Sequence, residues 1–139
     1  MSEDEQIKPS AETVIIMPTF NDLRHIQNAF ESLFSQTYQD FRLIVVDNAS
    51  PDGTSDFIHD KYDNVVVIKN TNNLGYAKAA NQGFHFIKEK IPGAKFVLVM
   101  NADIVLNKDY LKKTTDFLKN NKDAASVQGK LYKITPSLT

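Results

Sequence analysis

Thr13-Val-Ile-Ile-Met17 is β-branched and almost uniformly apolar, and Leu23, Ile26, Phe30, Leu33 and Phe34 follow it along one helical stripe. A strand of that composition is buried on both faces, as the strands of parallel sheets are. The stripe is the inward face of an amphipathic helix, with Asn21 or Asp22 as its N-cap. The same alternation runs outward through the chain. Phe41–Val46 is a second apolar run, and the turn-rich Asn48-Ala-Ser-Pro-Asp-Gly-Thr54 leads from it into a short helix near Ser55–Lys61. Val65–Ile68 is a third run. Ala77, Ala80, Phe84, Ile87 and Ile91 then mark a helix that stops at Pro92-Gly93. Phe96–Met100 is a fourth run. Tyr110, Leu111, Thr114, Phe117 and Leu118 form a further stripe after the cap residue Asn107, and Ala125–Leu131 is expected to be a fifth strand. Strands alternating with helices predict an α/β domain: a largely parallel sheet of about five strands with helices on both faces.

Composition narrows the function classes. The 139 residues suit one domain, with residues 1–12 expected as a mobile tail, 13–131 as the folded unit and 132–139 as a C-terminal tail or continuation. Sixteen basic against seventeen acidic residues leave no basic footprint for nucleic acid. Cysteine is absent, which removes disulfides, thiolate metal sites and cysteine nucleophiles and suits a reducing, cytoplasmic setting. No apolar run approaches the ~20 residues of a membrane helix. The acidic start, Met-Ser-Glu-Asp-Glu-Gln, is not a signal peptide. His25, His59 and His85 are scattered, with no metal-ligand partner at i+4.

Parallel sheets bind ligands beyond the carboxyl ends of their strands. The informative segments are therefore Pro18-Thr19-Phe20-Asn21, Asp47-Asn48-Ala49-Ser50, Asn70–Gly75 and Asn101-Ala102-Asp103. Neither G-x-x-x-x-G-K-[ST] nor G-x-G-x-x-G occurs, so a nucleotide would need another device. Asp103 could hold a divalent ion that bridges diphosphate oxygens, or simply close a turn. Asp47 could accept from the N–H of a base, or serve an Asx-turn within Asn48–Gly53. Phe20 could stack on a base, or belong to the core. Asn73, Gly75 and Asn81 could border the same crevice, Gly75 by allowing close backbone approach.

Taken in order, Val14-Ile-Ile-Met-Pro-Thr-Phe-Asn21, Leu33-Phe-Ser-Gln-Thr-Tyr38, Phe41-Arg-Leu-Ile-Val-Val-Asp-Asn-Ala-Ser50 and Asp52-Gly53-Thr54 resemble the opening of family-2 glycosyltransferases. Asn73-Leu-Gly-Tyr-Ala-Lys-Ala-Ala-Asn-Gln-Gly83 is similar to a segment of their rhamnosyltransferase-like members, and Met100-Asn-Ala-Asp103 stands where the family has its D-x-D-type metal motif. The resemblance covers about residues 13–131. It implies a GT-A fold, a Rossmann-like sheet that binds a nucleotide-diphosphate sugar, with a UDP- or dTDP-sugar as donor. It would place Pro18, Thr19 and Phe20 at base and ribose, and Asp47 against the N3–H of uracil or thymine. Asn101 would lie near ribose and diphosphate, Gly75 and Asn81 at the border of the pocket, and Asp103 at a Mg²⁺ or Mn²⁺ ion.

The motif departs from the family in its first acidic position, which leaves Asn101-Ala102-Asp103 with one carboxylate. Family members are also longer, and their second half carries the acceptor site and the base of inverting members. The chain is thus expected to be the donor-binding half of an inverting glycosyltransferase of cell-wall or polysaccharide synthesis, inactive alone, with a saccharide-type acceptor. Membrane association of the full-length protein and a homodimer through an incomplete sheet edge are further expectations. The competing reading is a non-catalytic nucleotide-binding or protein-interaction module. A phosphoacceptor receiver domain would need an acidic cluster after the first strand, where this chain has Pro18-Thr19-Phe20-Asn21.

Overall fold

The computed structural model describes residues 10–134. The elements run β1 (Thr13–Thr19), α1 (Leu23–Phe34), β2 (Phe41–Asp47), α2 (Thr54–Lys61), β3 (Val65–Lys69), α3 (Tyr76–Lys90), β4 (Phe96–Val99) and α4 (Tyr110–Asn120). The four strands form one parallel sheet in the order β3-β2-β1-β4. β1 and β2 lie at its centre and are buried along nearly their whole length, as their unbroken apolar runs require.

Side chains alternate across each strand, so the sheet has two inner faces. Ile15, Met17, Leu43 and Val45 pack with Ile26, Phe30 and Leu33 of α1, Ile58 of α2 and Leu111 of α4. Val14, Ile16, Ile44 and Val46 pack on the other side against Ala79, Ile87 and Ile91, in and just beyond α3. α3 lies very close to the sheet at Gly83, where a Cβ would come 2.6 Å from Ile16 Cγ2. That contact explains a glycine inside a helix, where it otherwise costs about 1 kcal/mol.

Three expectations need correction. Ala125–Leu131 forms no strand, so the sheet has four strands among the described residues. Its alternating positions are Ala125, Val127, Gly129 and Leu131, which offer little apolar area, and Leu131 is 68% exposed. Gly129 instead lies beside Tyr110, with its N–H 3.3 Å from the phenol oxygen. β1 runs two residues further than its apolar stretch, through Pro18 and Thr19, because β2 continues beside it to Asp47. Ala11 and Glu12, assigned to a tail, are fixed: Ala11 is buried, and Glu12 accepts from Tyr38 and Lys119. Residues 1–9 and 135–139 lie outside the described part, including most of both expected tails.

Candidate functional site

The strand order decides where a ligand can enter. The chain builds outward from β1 to β2 and β3, then crosses back to place β4 on the other side of β1. The strand order therefore reverses between β1 and β4, and ligands of parallel sheets bind beyond the carboxyl ends at such a switch point. A cleft of about 370 Å³ lies there.

The β1–α1 loop forms one wall. Asp22 Oδ2 accepts from Thr19 Oγ1 at 2.8 Å and from the Phe20 N–H at 3.1 Å. Asp22 stands at the N-cap position of α1 yet makes no side-chain cap bond, because its carboxylate turns back toward the strand. The tight turn sends Phe20 outward, 44% exposed, into the cleft. Asn21 follows in left-handed conformation at φ 58° and donates its N–H to Ser50 Oγ at 3.0 Å.

α1 is capped instead by a residue 29 positions away: the Leu23 N–H donates to Asp52 Oδ2 at 3.0 Å. Asp52 Oδ1 accepts from Thr54 N–H at 3.1 Å and Thr54 Oγ1 at 2.6 Å, so one carboxylate serves the starts of α1 and α2. Burial pushes the Asp52 carboxyl up, but the bonds from Thr54 and Leu23 outweigh it and hold the group below its ordinary value.

The β4–α4 loop forms the opposite wall. Ala102 is buried in the core, while Asn101 and Asp103 on either side of it are exposed to the cleft. The third side is the start of α3. Gly75 takes φ +85°, a conformation that favours glycine, and brings Asn73, Gly75 and Tyr76 to the cleft.

Pro18, Thr19, Phe20, Asn73, Gly75, Asn101 and Asp103 thus meet at one cleft. Asp47 and Asn81 do not. Asp47 is fully buried; its Oδ1 accepts from Ser50 N–H at 2.9 Å and its Oδ2 from Ser55 Oγ. The local turn has taken both oxygens, which is the Asx-turn alternative. Asn81 is exposed on α3, one residue beyond the buried Ala79–Ala80 pair, and does not line the cleft. Three lining residues were missed. Asp22 was read only as a cap. Tyr76, 51% exposed, stands just before the Ala77–Ile91 stripe, and an aromatic directly after Gly75 is a usable signal. Asn48, 4% exposed, was treated as turn chemistry.

No ready-made metal centre stands among the described residues. Among the described residues no three His, Cys, Asp or Glu come together, and the cleft carboxylates are Asp22 and Asp103. Both bonds to Asp22 fall on Oδ2, which leaves Asp22 Oδ1 and the carboxylate of Asp103, with the Asn101 carboxamide two residues before Asp103. Such an oxygen set suits Mg²⁺ or Mn²⁺ held largely by phosphate oxygens and water.

Residues 14–137 match glycosyl transferase family 2. The chain belongs to that family. It is 30% identical over 122 residues to the poly(ribitol-phosphate) beta-glucosyltransferase of Bacillus spizizenii, covering 84% of this chain and 18% of that protein. It is 29% identical over 118 residues to the putative teichuronic acid biosynthesis glycosyltransferase TuaG of Bacillus subtilis, covering 83% of this chain and 45% of that protein. The family-2 chain thus spans less than half the length of these relatives. A crystal structure of S. aureus TarS in complex with UDP superposes with a TM-score of 0.69 at 27% identity, over 80% of this chain and 33% of that one. The fold is the Rossmann-like GT-A arrangement of such neighbours.

Proposed function

We propose that the chain carries the donor site of a glycosyltransferase that moves a sugar from a nucleoside-diphosphate sugar to a saccharide-type acceptor. The observation that carries this reading is the cleft at the β1/β4 crossover. It sets exposed aromatic rings, Phe20 and Tyr76, beside hard-oxygen groups, Asn101 and Asp103. A nucleotide sugar has the complementary parts: a planar base and a charged diphosphate. Phe20 or Tyr76 takes the base face, and Asp103 takes the divalent ion that neutralises the diphosphate. Asp47 supports this pocket from beneath by fixing the Ser50–Ser55 turn.

UDP is the favoured nucleotide because it is the one named with the S. aureus neighbour. The rhamnosyltransferase-like segment Asn73–Gly83 keeps dTDP as the second. A cell-wall polysaccharide is the favoured acceptor, from the names of the Bacillus relatives. Inverting transfer follows the family resemblance. The acceptor site and general base are assigned to the greater length the relatives have, so the chain alone should bind donor without transferring sugar. No helix among the described residues is long and apolar enough to cross a membrane. A cytoplasmic location is part of the same proposal, and so is a homodimer through the exposed Leu131, Tyr132 and Ile134.

The test is calorimetric titration with UDP, dTDP and GDP, each with and without Mn²⁺. Metal-dependent binding of UDP or dTDP is expected. Absence of binding to all three nucleotides would remove the donor-site reading.

A further inference from the structure

Asn48, Asn70 and Gln82 come from three different elements, yet their amides form one connected chain. Asn48 Oδ1 accepts from Asn70 Nδ2 at 3.0 Å and from the Leu74 N–H at 3.3 Å. Asn48 Nδ2 donates to the Gly75 carbonyl at 3.2 Å. Asn70 and Gln82 exchange two bonds, each 2.8 Å: Asn70 Nδ2 donates to Gln82 Oε1, and Gln82 Nε2 donates to Asn70 Oδ1. Asn48 is buried, Asn70 and Gln82 are half-buried, and only Asn48 reaches the cleft.

The direction of every bond in this chain is fixed by two backbone groups. The Leu74 N–H can only donate and the Gly75 carbonyl can only accept, so Asn48 has one permitted orientation. Asn70 must then turn its NH₂ toward Asn48, which leaves its oxygen for the Gln82 NH₂. Gln82 thereby closes a relay that grips the Leu74 N–H and the Gly75 carbonyl, on the two peptides that flank the Leu74–Gly75 bond, and that segment carries the Asn73, Gly75 and Tyr76 side of the cleft. Backbone at φ +85° needs such outside support, since the surrounding structure must over-determine an uncommon conformation.

We propose that Gln82 is a positioning residue for donor binding: through Asn70 and Asn48 it holds the Leu74 N–H and the Gly75 carbonyl, and so the Leu74–Gly75 segment that sets the α3 wall of the cleft. The affinity half rests on the donor-site reading above; the holding half does not.

The experiment compares wild type with Gln82→Met and Gln82→Glu. Methionine keeps the length and deletes both bonds. Glutamate keeps the shape but sets a carboxylate oxygen against Asn70 Oδ1, an acceptor against an acceptor. Amide hydrogen exchange is read residue by residue on the free chain, and UDP with Mn²⁺ is titrated by calorimetry. The Leu74 amide should exchange about tenfold faster in Gln82→Met, the loss of one ordinary hydrogen bond's worth of protection, and faster still in Gln82→Glu, while the Gly75 amide, which donates to Asn73 Oδ1, changes less. The amides of β1 should be unchanged, and UDP affinity should fall in the same order. Equal effects of the two variants, or faster exchange spread evenly over the sheet, would overturn the relay. Selective exchange with unaltered UDP affinity would overturn the affinity half. Failure of wild type to bind UDP would overturn the donor-site reading, while the exchange data still decide the relay.

Discussion

The two ends of the sheet are built from the same strands and do opposite things with their polar groups. At the amino end, Glu12 accepts from Tyr38 Oη at 2.7 Å and from Lys119 Nζ at 2.9 Å, and lies 3.8 Å from Lys95. Tyr38 also sits 2.9 Å from Thr13 Oγ1. Charges there are neutralised by partners within the chain, and the cluster ties the start of β1 to the α1–β2 loop and α4. At the carboxyl end, hydrogen bonds are spent on holding loops in place, and the groups that face the cleft are left open. Among the described residues, every positive φ belongs to this end: Asn21, Ala49, Gly53 and Gly75. A left-handed Ala49 costs roughly 1–2 kcal/mol over its ordinary conformation. Strain of that kind persists where neighbours hold it, and it gathers at ligand clefts. The difference teaches that one end closes the fold and the other keeps it open.

The largest expected effect comes from removing the more exposed carboxylate of the open end. Asp103→Ala should abolish the metal-dependent part of UDP binding and weaken affinity about 10- to 100-fold, the range for loss of a charged partner. Asp103 is exposed, so thermal stability should hardly change. Calorimetry with and without Mn²⁺ reads the first quantity and a melting curve the second. Unaltered Mn²⁺ dependence in the variant would take Asp103 out of the site.

The next effect asks whether the loops of the open end are held as the hydrogen bonds indicate. Asp52→Ala removes the partner of Leu23 N–H and of both Thr54 donors. Loss of an ordinary N-cap costs about 0.5–2 kcal/mol, and two helix starts depend on this one, so the upper half of that range is expected in urea unfolding. The Asp52 carboxyl is lowered by folding, so its contribution is present above the ordinary carboxylate range and is lost as pH falls through the lowered value. The stability gap between wild type and variant should therefore narrow below about pH 4. A constant gap down to pH 2 would show that Asp52 acts by packing.

Most of this contrast was legible in the sequence, and the part that was not has a physical cause. β1 and β2 declared themselves because a strand buried on both faces has no polar alternative. The loops after the strands are legible for the same reason, and seven residues picked out from them line the cleft. The failures concern where polar side chains turn and how much area a segment can bury. Asp47 and Asp52 are both carboxylates in one turn, and nothing in their spacing reveals that Asp47 turns to Ser55 while Asp52 reaches Leu23. The Asn48–Asn70–Gln82 relay joins residues 12 to 34 positions apart and has no periodicity to betray it. Ala125–Leu131 has the alternation of a strand, but small residues at half its inward positions supply too little burial to hold it on a sheet.

A smaller effect is expected at the closed end. Tyr38→Phe deletes the phenol bonds to Glu12 and Thr13 while Lys119 stays on Glu12, at a cost of about 0.5–1.5 kcal/mol. UDP affinity should be unchanged, because the substitution lies at the opposite end of the strands. The pH profile sharpens the test. Burial pushes the Tyr38 phenol up to about 12, with Glu12 adding to the rise and Thr13 opposing it. A group raised on folding stabilises fully below its unfolded value, and that stability is lost as pH climbs through the folded one. Wild type should therefore lose stability relative to Tyr38→Phe between about pH 10 and 12. Tyr62 and Tyr76 are also raised by burial, but they titrate in both proteins and cancel in the difference. A flat difference across that window would show that the Tyr38 proton is not held by the cluster.

The smallest expected effect is the most discriminating for the open end. If Asp47 accepted from the N3–H of uracil, replacing UDP by CDP would leave a buried carboxylate facing an acceptor, a penalty of about 1–3 kcal/mol, or roughly 5- to 150-fold. The observed Asp47 has both oxygens committed to Ser50 and Ser55 and no exposure to the cleft. Stacking on Phe20 or Tyr76 is tolerant of which base is present, since every base has a π-face. UDP and CDP should therefore bind this chain within about fivefold of each other, less than one buried charged hydrogen bond would impose. Asp47→Asn should leave that ratio unchanged while lowering stability, because Asn keeps an acceptor for only one of the Ser50 and Ser55 donors. A UDP preference well above that limit, collapsing in Asp47→Asn, would mean that the turn opens on binding and hands Asp47 to the base. The carboxyl end of the sheet would then be adjustable where the amino end is fixed, and the 47–54 turn would be the element that moves.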